Sequence, residues 1–177
     1  LRYTDFINES NSKNVFLFIG RFQPFHNGHL KAIQDLQKHF KAQCIIGQIF
    51  TDTPNEKSPF TKDLLKKSLN EVVKNEKIIE HFDFFERGLL PVIVKQIQEQ
   101  GYNVIGAGCG EDRFKDYKRQ MDYMLSSKSD VKVADNFEIL ITKRYASATD
   151  VRNTLKNKDE KSFKELVPKY LNKYYSE

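Results

Sequence analysis

Val15-Phe16-Leu17-Phe18-Ile19-Gly20-Arg21-Phe22-Gln23-Pro24-Phe25-His26-Asn27-Gly28-His29 carries the chain from one kind of secondary structure into another. Five consecutive apolar residues closed by Gly20 predict a strand buried on both faces, the pattern of a parallel sheet. Gly20, Pro24 and Gly28 then bend the chain. A helix is predicted over 27–40, with Leu30, Ile33, Leu36, Gln37 and Phe40 spaced three to four apart. A helix that starts just past the carboxyl edge of a sheet offers free N–H groups and a positive dipole end to an anion. His26 and His29, three residues apart on its first turn, point the same way. Gly28 between them lets a ligand or a second backbone come close, and Arg21 adds a planar cationic fork suited to phosphate oxygens. A bare pair of histidines at this spacing usually carries no function, or holds a metal. Here the glycines, the proline, the arginine and the strand-to-helix context agree on an anion site. No carboxylate, cysteine or third histidine lies near enough in sequence to complete a zinc site, so no protein metal site is expected.

The alternation continues outward from this stretch. Cys44 to Phe50 reads as a second strand, followed by a polar loop with Pro54 and Pro59. A helix over about 61–75 comes next, with Leu64, Leu65, Leu69 and Val72 or Val73 inward. Residues 77–85 read as a third strand, and Gly88 and Pro91 mark the start of a helix ending before Gly101. Asn103 to Gly108 is a fourth strand, a helix over about 111–126 follows, Val131 to Ile141 holds one or two further strands, and the chain from Ser147 is helical. Strands alternating with helices argue for βαβ units in an α/β, doubly wound, mainly parallel sheet, three layers deep. Right-handed crossovers then place ligands outside the carboxyl ends of the strands. Residues 1–14 read as a polar leader and 15–177 as one domain with C-terminal helices from about 147. No repeat or linker interrupts them.

Composition narrows the partners. With 177 residues, 39% of them hydrophobic and 30% charged, the chain is long enough to bury one core. Fourteen Phe and eight Tyr against no Trp predict a core filled largely by Phe. The net charge of +5 suits phosphorylated partners, but the basic residues are scattered among acids, which argues against nucleic acid. No apolar run approaches the roughly 20 residues that span a bilayer, and no signal peptide is visible. Cys44 and Cys109 fall in strand or strand-end segments without metal-ligand companions. They are expected as buried free thiols, in a reducing, cytoplasmic compartment. Leu1 stands where a start methionine would, which leaves room for a longer parent chain.

The run Gly20-Arg21-Phe22-Gln23-Pro24-Phe25-His26-Asn27-Gly28-His29 resembles the signature of the HxGH nucleotidyltransferases. Its nearest likeness is the version carried by nicotinamide-mononucleotide (NMN) adenylyltransferases of the archaeal type and their bacterial relatives. Pantetheine-phosphate and cytidylyl members usually have Asp where Gln23 stands. A second element, Ala146-Ser147-Ala148-Thr149-Asp150-Val151-Arg152, is similar to the I-S-x-T-x-x-R segment of the same superfamily, with Ala146 replacing the leading Ile. Read from the residues alone, Ser147 with Asp150 three on is a helix-capping arrangement. Ser58-Pro59-Phe60-Thr61 resembles the N-P-F-T stretch of archaeal-type enzymes. The Glu-Arg pair that follows it there is absent, and Lys62 or Lys66 is left as the local cation. Gly106-Ala107-Gly108-Cys109-Gly110-Glu111-Asp112-Arg113 resembles the glycine-rich, acid-bearing turn placed beside the nucleotide, or is simply a loop that needs glycines. The resemblance covers roughly residues 15–172, with its specific motifs at the two ends.

The resemblance implies a Rossmann-like nucleotidyltransferase fold of the HUP type. It also implies transfer of AMP from ATP to a small phosphorylated acceptor, NMN first among them, with release of pyrophosphate. His26, His29 and Arg152 are then the expected catalytic residues. Gly20, Arg21, Phe22, Gly28, Ser147 and Thr149 are expected to bind ATP, and Lys62, Gly108 and Asp112 to lie near the acceptor or nucleotide. Mg²⁺ is expected to be held mainly through the ATP phosphates. Relatives of the archaeal type commonly assemble, so a homo-oligomer is compatible with the resemblance. The alternatives are a phosphopantetheine adenylyltransferase, a cytidylyltransferase, a non-catalytic nucleotide sensor, or one domain of a bifunctional protein.

Overall fold

A computed structural model describes residues 12–176. The element order is β1 (Lys13–Gly20), α1 (Asn27–Phe40), β2 (Gln43–Ile49), α2 (Lys62–Asn75), β3 (Ile79–Phe85), α3 (Leu90–Glu99), β4 (Tyr102–Cys109), α4 (Glu111–Leu125), β5 (Glu138–Ile141), α5 (Ala148–Lys156) and α6 (Glu160–Leu166). A 3₁₀ helix, Lys169–Ser176, closes the described chain. The five strands form one sheet in the order β3-β2-β1-β4-β5, and every neighbouring pair is parallel. This is the doubly wound α/β arrangement that the alternation predicts. The chain starts at β1 in the middle, winds outward through β2 to β3, then crosses back to β4 and out to β5. The order therefore reverses between β1 and β4, and a crevice opens there outside their carboxyl ends.

The apolar run in β1 divides between the two faces of the sheet. Val15 and Leu17 pack with Leu90, Ile93, Val94 and Ile97 of α3 and with Tyr117, Met121 and Met124 of α4. Phe16 and Phe18 pack the other way, with Ala32, Ile33 and Leu36 of α1, Leu69 and Val72 of α2, Val151 of α5 and Phe163 of α6. Alternate side chains of a strand leave on opposite faces, so a run with no polar break needs a layer on each side. Phenylalanine fills the α1 side in particular, where Phe16 and Phe40 stack at 5.2 Å between ring centroids. Cys44 and Cys109 are buried free thiols, as expected. Burial in an apolar setting pushes both thiol pKa values up, Cys109 to about 11. Among the described residues no helix is long and apolar enough to cross a membrane.

The N-terminal boundary differs from the sequence expectation. Lys13 and Asn14, assigned there to the polar leader, already belong to β1 and pair with Tyr102 and Asn103 of β4. The rest of that leader, residues 1–11, lies outside the described residues. The stretch 131–141 holds one strand, β5, within the one or two expected. Val131 and Phe137 are buried loop residues that plug the core beside α4, and Ser129 accepts the Val131 N–H. Buried apolar residues in an irregular segment carry the same sequence signal as a short strand.

Candidate active site

A cleft of about 990 Å³ lies at the switch point, lined by residues of β1, the end of β5, the segment between β5 and α5, and the starts of α1, α4 and α5. That is the upper end of the size of small-molecule sites, roughly 300–1,000 Å³. Three helices open onto it. α1 starts behind His26, α4 starts behind Gly110 with no side-chain cap, and α5 starts behind Ser147, whose hydroxyl accepts the Asp150 N–H at 3.1 Å. Each contributes backbone N–H groups without intrahelical partners, so the cleft favours a polyanion.

The two histidines cap α1 reciprocally. Nδ1 of His26 accepts the His29 N–H at 3.3 Å, and Nδ1 of His29 accepts the His26 N–H at 3.2 Å. The rings stack with centroids 3.6 Å apart and planes 20° from parallel. A nitrogen that accepts a backbone N–H carries no proton of its own, so each neutral ring must carry it on Nε2. Burial holds His26 down to about 4, with the Arg144 guanidinium adding to the effect and Asp150 opposing it. Burial, and the neighbouring His26, hold His29 well below the ordinary imidazole range. The pair is thus neutral at pH 7 and presents two uncharged N–H donors.

This arrangement fixes a pH dependence. Between pH 6.5 and 4 the unfolded chain takes up protons that folded His26 refuses, so stability falls with falling pH through that window. The difference is on the order of 3 kcal/mol for His26 once pH 4 is reached, and His29 acts in the same direction. Urea midpoints at pH 7 and pH 5 should therefore differ, the lower pH giving the lower midpoint. Equal midpoints would show that the imidazoles are not held neutral by burial.

The cleft closes through Gly28. A Cβ on Gly28 would lie 2.8 Å from Ala146 N, 2.9 Å from His26 Cε1 and 3.0 Å from Ala146 Cβ, so the start of α1 and the segment before α5 touch backbone to backbone. Arg152 ties the same two regions from behind, donating from Nη1 to the Gln23 carbonyl at 2.7 Å and from Nη2 to Thr149 Oγ1 at 3.1 Å. Gln23 itself is buried, and its Oε1 accepts the Phe60 N–H at 3.1 Å. Phe22 has φ of 39°, a left-handed conformation that costs a residue other than glycine roughly 1–3 kcal/mol. Its ring lies over Gly20, where a Cβ would come within 3.1 Å of it, and meets the His29 ring edge-on at 4.8 Å.

The sequence-predicted residues separate into those on the cleft wall and those behind it. His26, Gly28, His29, Asp112 and Ser147 line the cleft. Gly20, Phe22, Thr149 and Arg152 lie outside its lining, in the contacts just described, and Arg21 is exposed beyond it. Lys62 lies apart, with its ammonium 5.2 Å from the Phe84 ring and 5.9 Å from the Phe50 ring. Gly108 lies within β4 under Leu36, outside the cleft lining, and a side chain there would collide with that leucine. Thr142, Lys143, Arg144 and Tyr145, which are not among the sequence-predicted residues, form one wall. Their signal was a Lys-Arg pair between a strand end and a capped helix start.

A family model described as cytidylyltransferase-like matches residues 17–154, from within β1 to within α5. The chain belongs to the cytidylyltransferase-like family. Solved structures share the fold of this cytidylyltransferase-like chain at low identity. A putative nicotinate-nucleotide adenylyltransferase from Vibrio parahaemolyticus gives a TM-score of 0.61 at 14% identity, over 93% of this chain and 99% of that one. A bifunctional NMN adenylyltransferase/ADP ribose pyrophosphatase from Francisella tularensis gives 0.59 at 18% identity, over 93% of this chain and 49% of that one. Plasmodium falciparum nicotinic acid mononucleotide adenylyltransferase, complexed with APC, gives 0.58 at 14% identity, over 93% and 98%. This chain therefore spans about half the length of the Francisella protein. No curated protein is similar enough in sequence to be counted as a relative. The family and the fold together make the chain a nucleotidyltransferase-like protein with a cleft at the switch point.

Proposed function

We propose that this protein transfers AMP from ATP to nicotinamide mononucleotide and releases pyrophosphate. The observation that carries the reading is the meeting of the two motif segments: the stacked His26–His29 pair and the capped start of α5 face one cleft, with Gly28 against Ala146. Gln23 and the archaeal-type form of the first motif favour a pyridine nucleotide as the acceptor.

In this mechanism an acceptor phosphate oxygen attacks the α-phosphorus of ATP, a bond forms there, and the bond to the oxygen bridging to the β-phosphate breaks. The acceptor phosphate is already ionised at neutral pH, so no general base is needed and the catalytic contribution is positioning and charge stabilisation. The Nε2–H groups of His26 and His29 donate to the α-phosphate oxygens as charge builds. Helix N-termini and the Lys143–Arg144 pair receive the departing pyrophosphate. Glu111 and Asp112 on the cleft wall are hard-oxygen donors that would help hold Mg²⁺ carried on the ATP phosphates. Once bound, it would neutralise the leaving group. The buried free thiols suit a reducing, cytoplasmic setting.

The test is pyrophosphate release with ATP or CTP as donor and NMN, nicotinate mononucleotide or phosphopantetheine as acceptor. Fastest release is expected with ATP and NMN. Release confined to CTP, or to phosphopantetheine, would replace this reading with another transferase activity; none from any pair would leave a nucleotide-binding protein without turnover. Arg152→Ala is expected to raise the KM for ATP most, because its guanidinium ties the Gln23 carbonyl to α5, whose capped start faces the cleft. A rise confined to the acceptor KM would remove Arg152 from the ATP side.

A further inference from the structure

The wall formed by residues 142–147 is a strap held at its two ends. At one end Thr142 donates to the Cys109 carbonyl from its N–H at 2.8 Å and from its hydroxyl at 3.2 Å. At the other, Ser147 caps α5. Between them lie Lys143 and Arg144, the cations of the cleft wall, and residues 143–146 make no backbone–backbone hydrogen bond among the described residues. One side chain ties the middle down. The Tyr145 hydroxyl donates to the Asp35 carboxylate on α1, and the Lys31 ammonium lies over the Tyr145 ring, 4.7 Å from its centroid. Lys31 and Asp35 are one turn apart on α1 and share its outer face. Tyr145 is 38% exposed, so burial alone does not hold it.

The placement matters because α1 is also the helix whose first turn carries His26 and His29. The Tyr145 clasp therefore fixes the two strap cations relative to the two histidine donors, through a single rigid helix. One turn further along α1, His39 bonds Glu138 at the start of β5 at 2.9 Å, so the same face of α1 grips the strand that leads into the strap. We propose that Tyr145, clasped by Asp35 and Lys31, is a positioning residue that sets how Lys143 and Arg144 meet the triphosphate of the nucleotide donor. It touches no reacting atom. The proposal rests on the reading of the cleft as a nucleotide-donor site.

The experiment measures binding of ATP with Mg²⁺, of AMP, and of inorganic tripolyphosphate by titration calorimetry, for the wild type and for Tyr145→Phe, Asp35→Ala and Asp35→Asn. Steady-state kinetics accompany it, and thermal melting checks the fold. Tyr145→Phe keeps the ring under Lys31 but loses the O–H, and Asp35→Asn keeps an acceptor for that O–H. Losing one hydrogen bond to a charged group should weaken ATP and tripolyphosphate binding about five- to tenfold in Tyr145→Phe and Asp35→Ala. AMP binding and the acceptor KM should stay within about twofold, and Asp35→Asn should recover most of the loss. Unchanged ATP affinity in folded Tyr145→Phe and Asp35→Ala overturns the clasp and leaves the donor reading intact. Equal weakening of AMP and ATP also overturns it, since the strap would then act on the nucleoside. If Tyr145→Phe fails to fold, the Asp35 pair decides by the same criteria. A wild type that binds neither ATP nor tripolyphosphate overturns the donor reading and the proposal together.

Discussion

His29→Ala is expected to lower kcat by on the order of 10² to 10³, the usual cost of removing one preorganised donor to a developing phosphate charge. The variant loses its Nε2–H donor and also its half of the reciprocal cap, the bond from the His26 N–H to His29 Nδ1. Loss of the cap bond costs about 1 kcal/mol of stability, far short of what unfolding requires. The deficit should therefore lie in turnover, with a melting temperature only a few degrees lower. His29→Asn separates the two roles, because its side-chain oxygen can still accept the His26 N–H while its amide sits differently toward the cleft. If His29→Ala released pyrophosphate at a near-normal rate with a lowered melting temperature, His29 would be a capping residue only.

Gly28→Ala sets two effects against each other. Alanine in place of glycine within a helix is worth about 1 kcal/mol in favour of the variant. The new methyl, however, would lie 2.8 Å from Ala146 N and 2.9 Å from His26 Cε1, a separation that real Cβ atoms do not keep. Backbone and a stacked ring are the obstacles, and neither swings aside as the end of a flexible chain would. Overpacking of this kind typically costs 1–3 kcal/mol and moves backbone, so the collision outweighs the helix gain. The strap and the histidine turn are expected to separate by a few tenths of an ångström or more, weakening ATP binding and lowering kcat/KM by at least tenfold. Such losses follow when reacting groups are displaced on this scale. A Gly28→Ala enzyme with unchanged ATP affinity and raised stability would mean that the two segments are not in contact in solution.

The parts of the site that could be read from the sequence are those built from neighbours in the chain. The strand, turn and helix from Val15 to Phe40 follow from an unbroken apolar run, three bending residues and a three-to-four periodicity, and β1 and α1 match them closely. The Ser147 cap follows from Ser and Asp three apart. The roles of Arg152 and Gly108 could not be read in the same way. The Arg152 guanidinium bonds a carbonyl 129 residues away in sequence, and Gly108 is glycine because Leu36 of α1 occupies the space beside it. Tyr145 is the clearest case. Nothing around it in sequence marks it, because its partners Lys31 and Asp35 lie more than a hundred residues upstream on α1.

By itself the sequence determined the strand and helix alternation, the parallel sheet buried on both faces, and the turn that carries the two histidines at the start of α1. All of these arise from local periodicity, backbone conformation and capping, which depend on residues a few positions apart. Only the tertiary structure decided which side chains share the cleft, that Phe22, Arg152 and Gly108 lie outside its lining, and that the Lys143–Arg144 strap is pinned to the histidine-bearing helix. Those relations come from packing α1 and the strap against the same sheet edge, and contacts between distant segments leave no periodic trace in the chain.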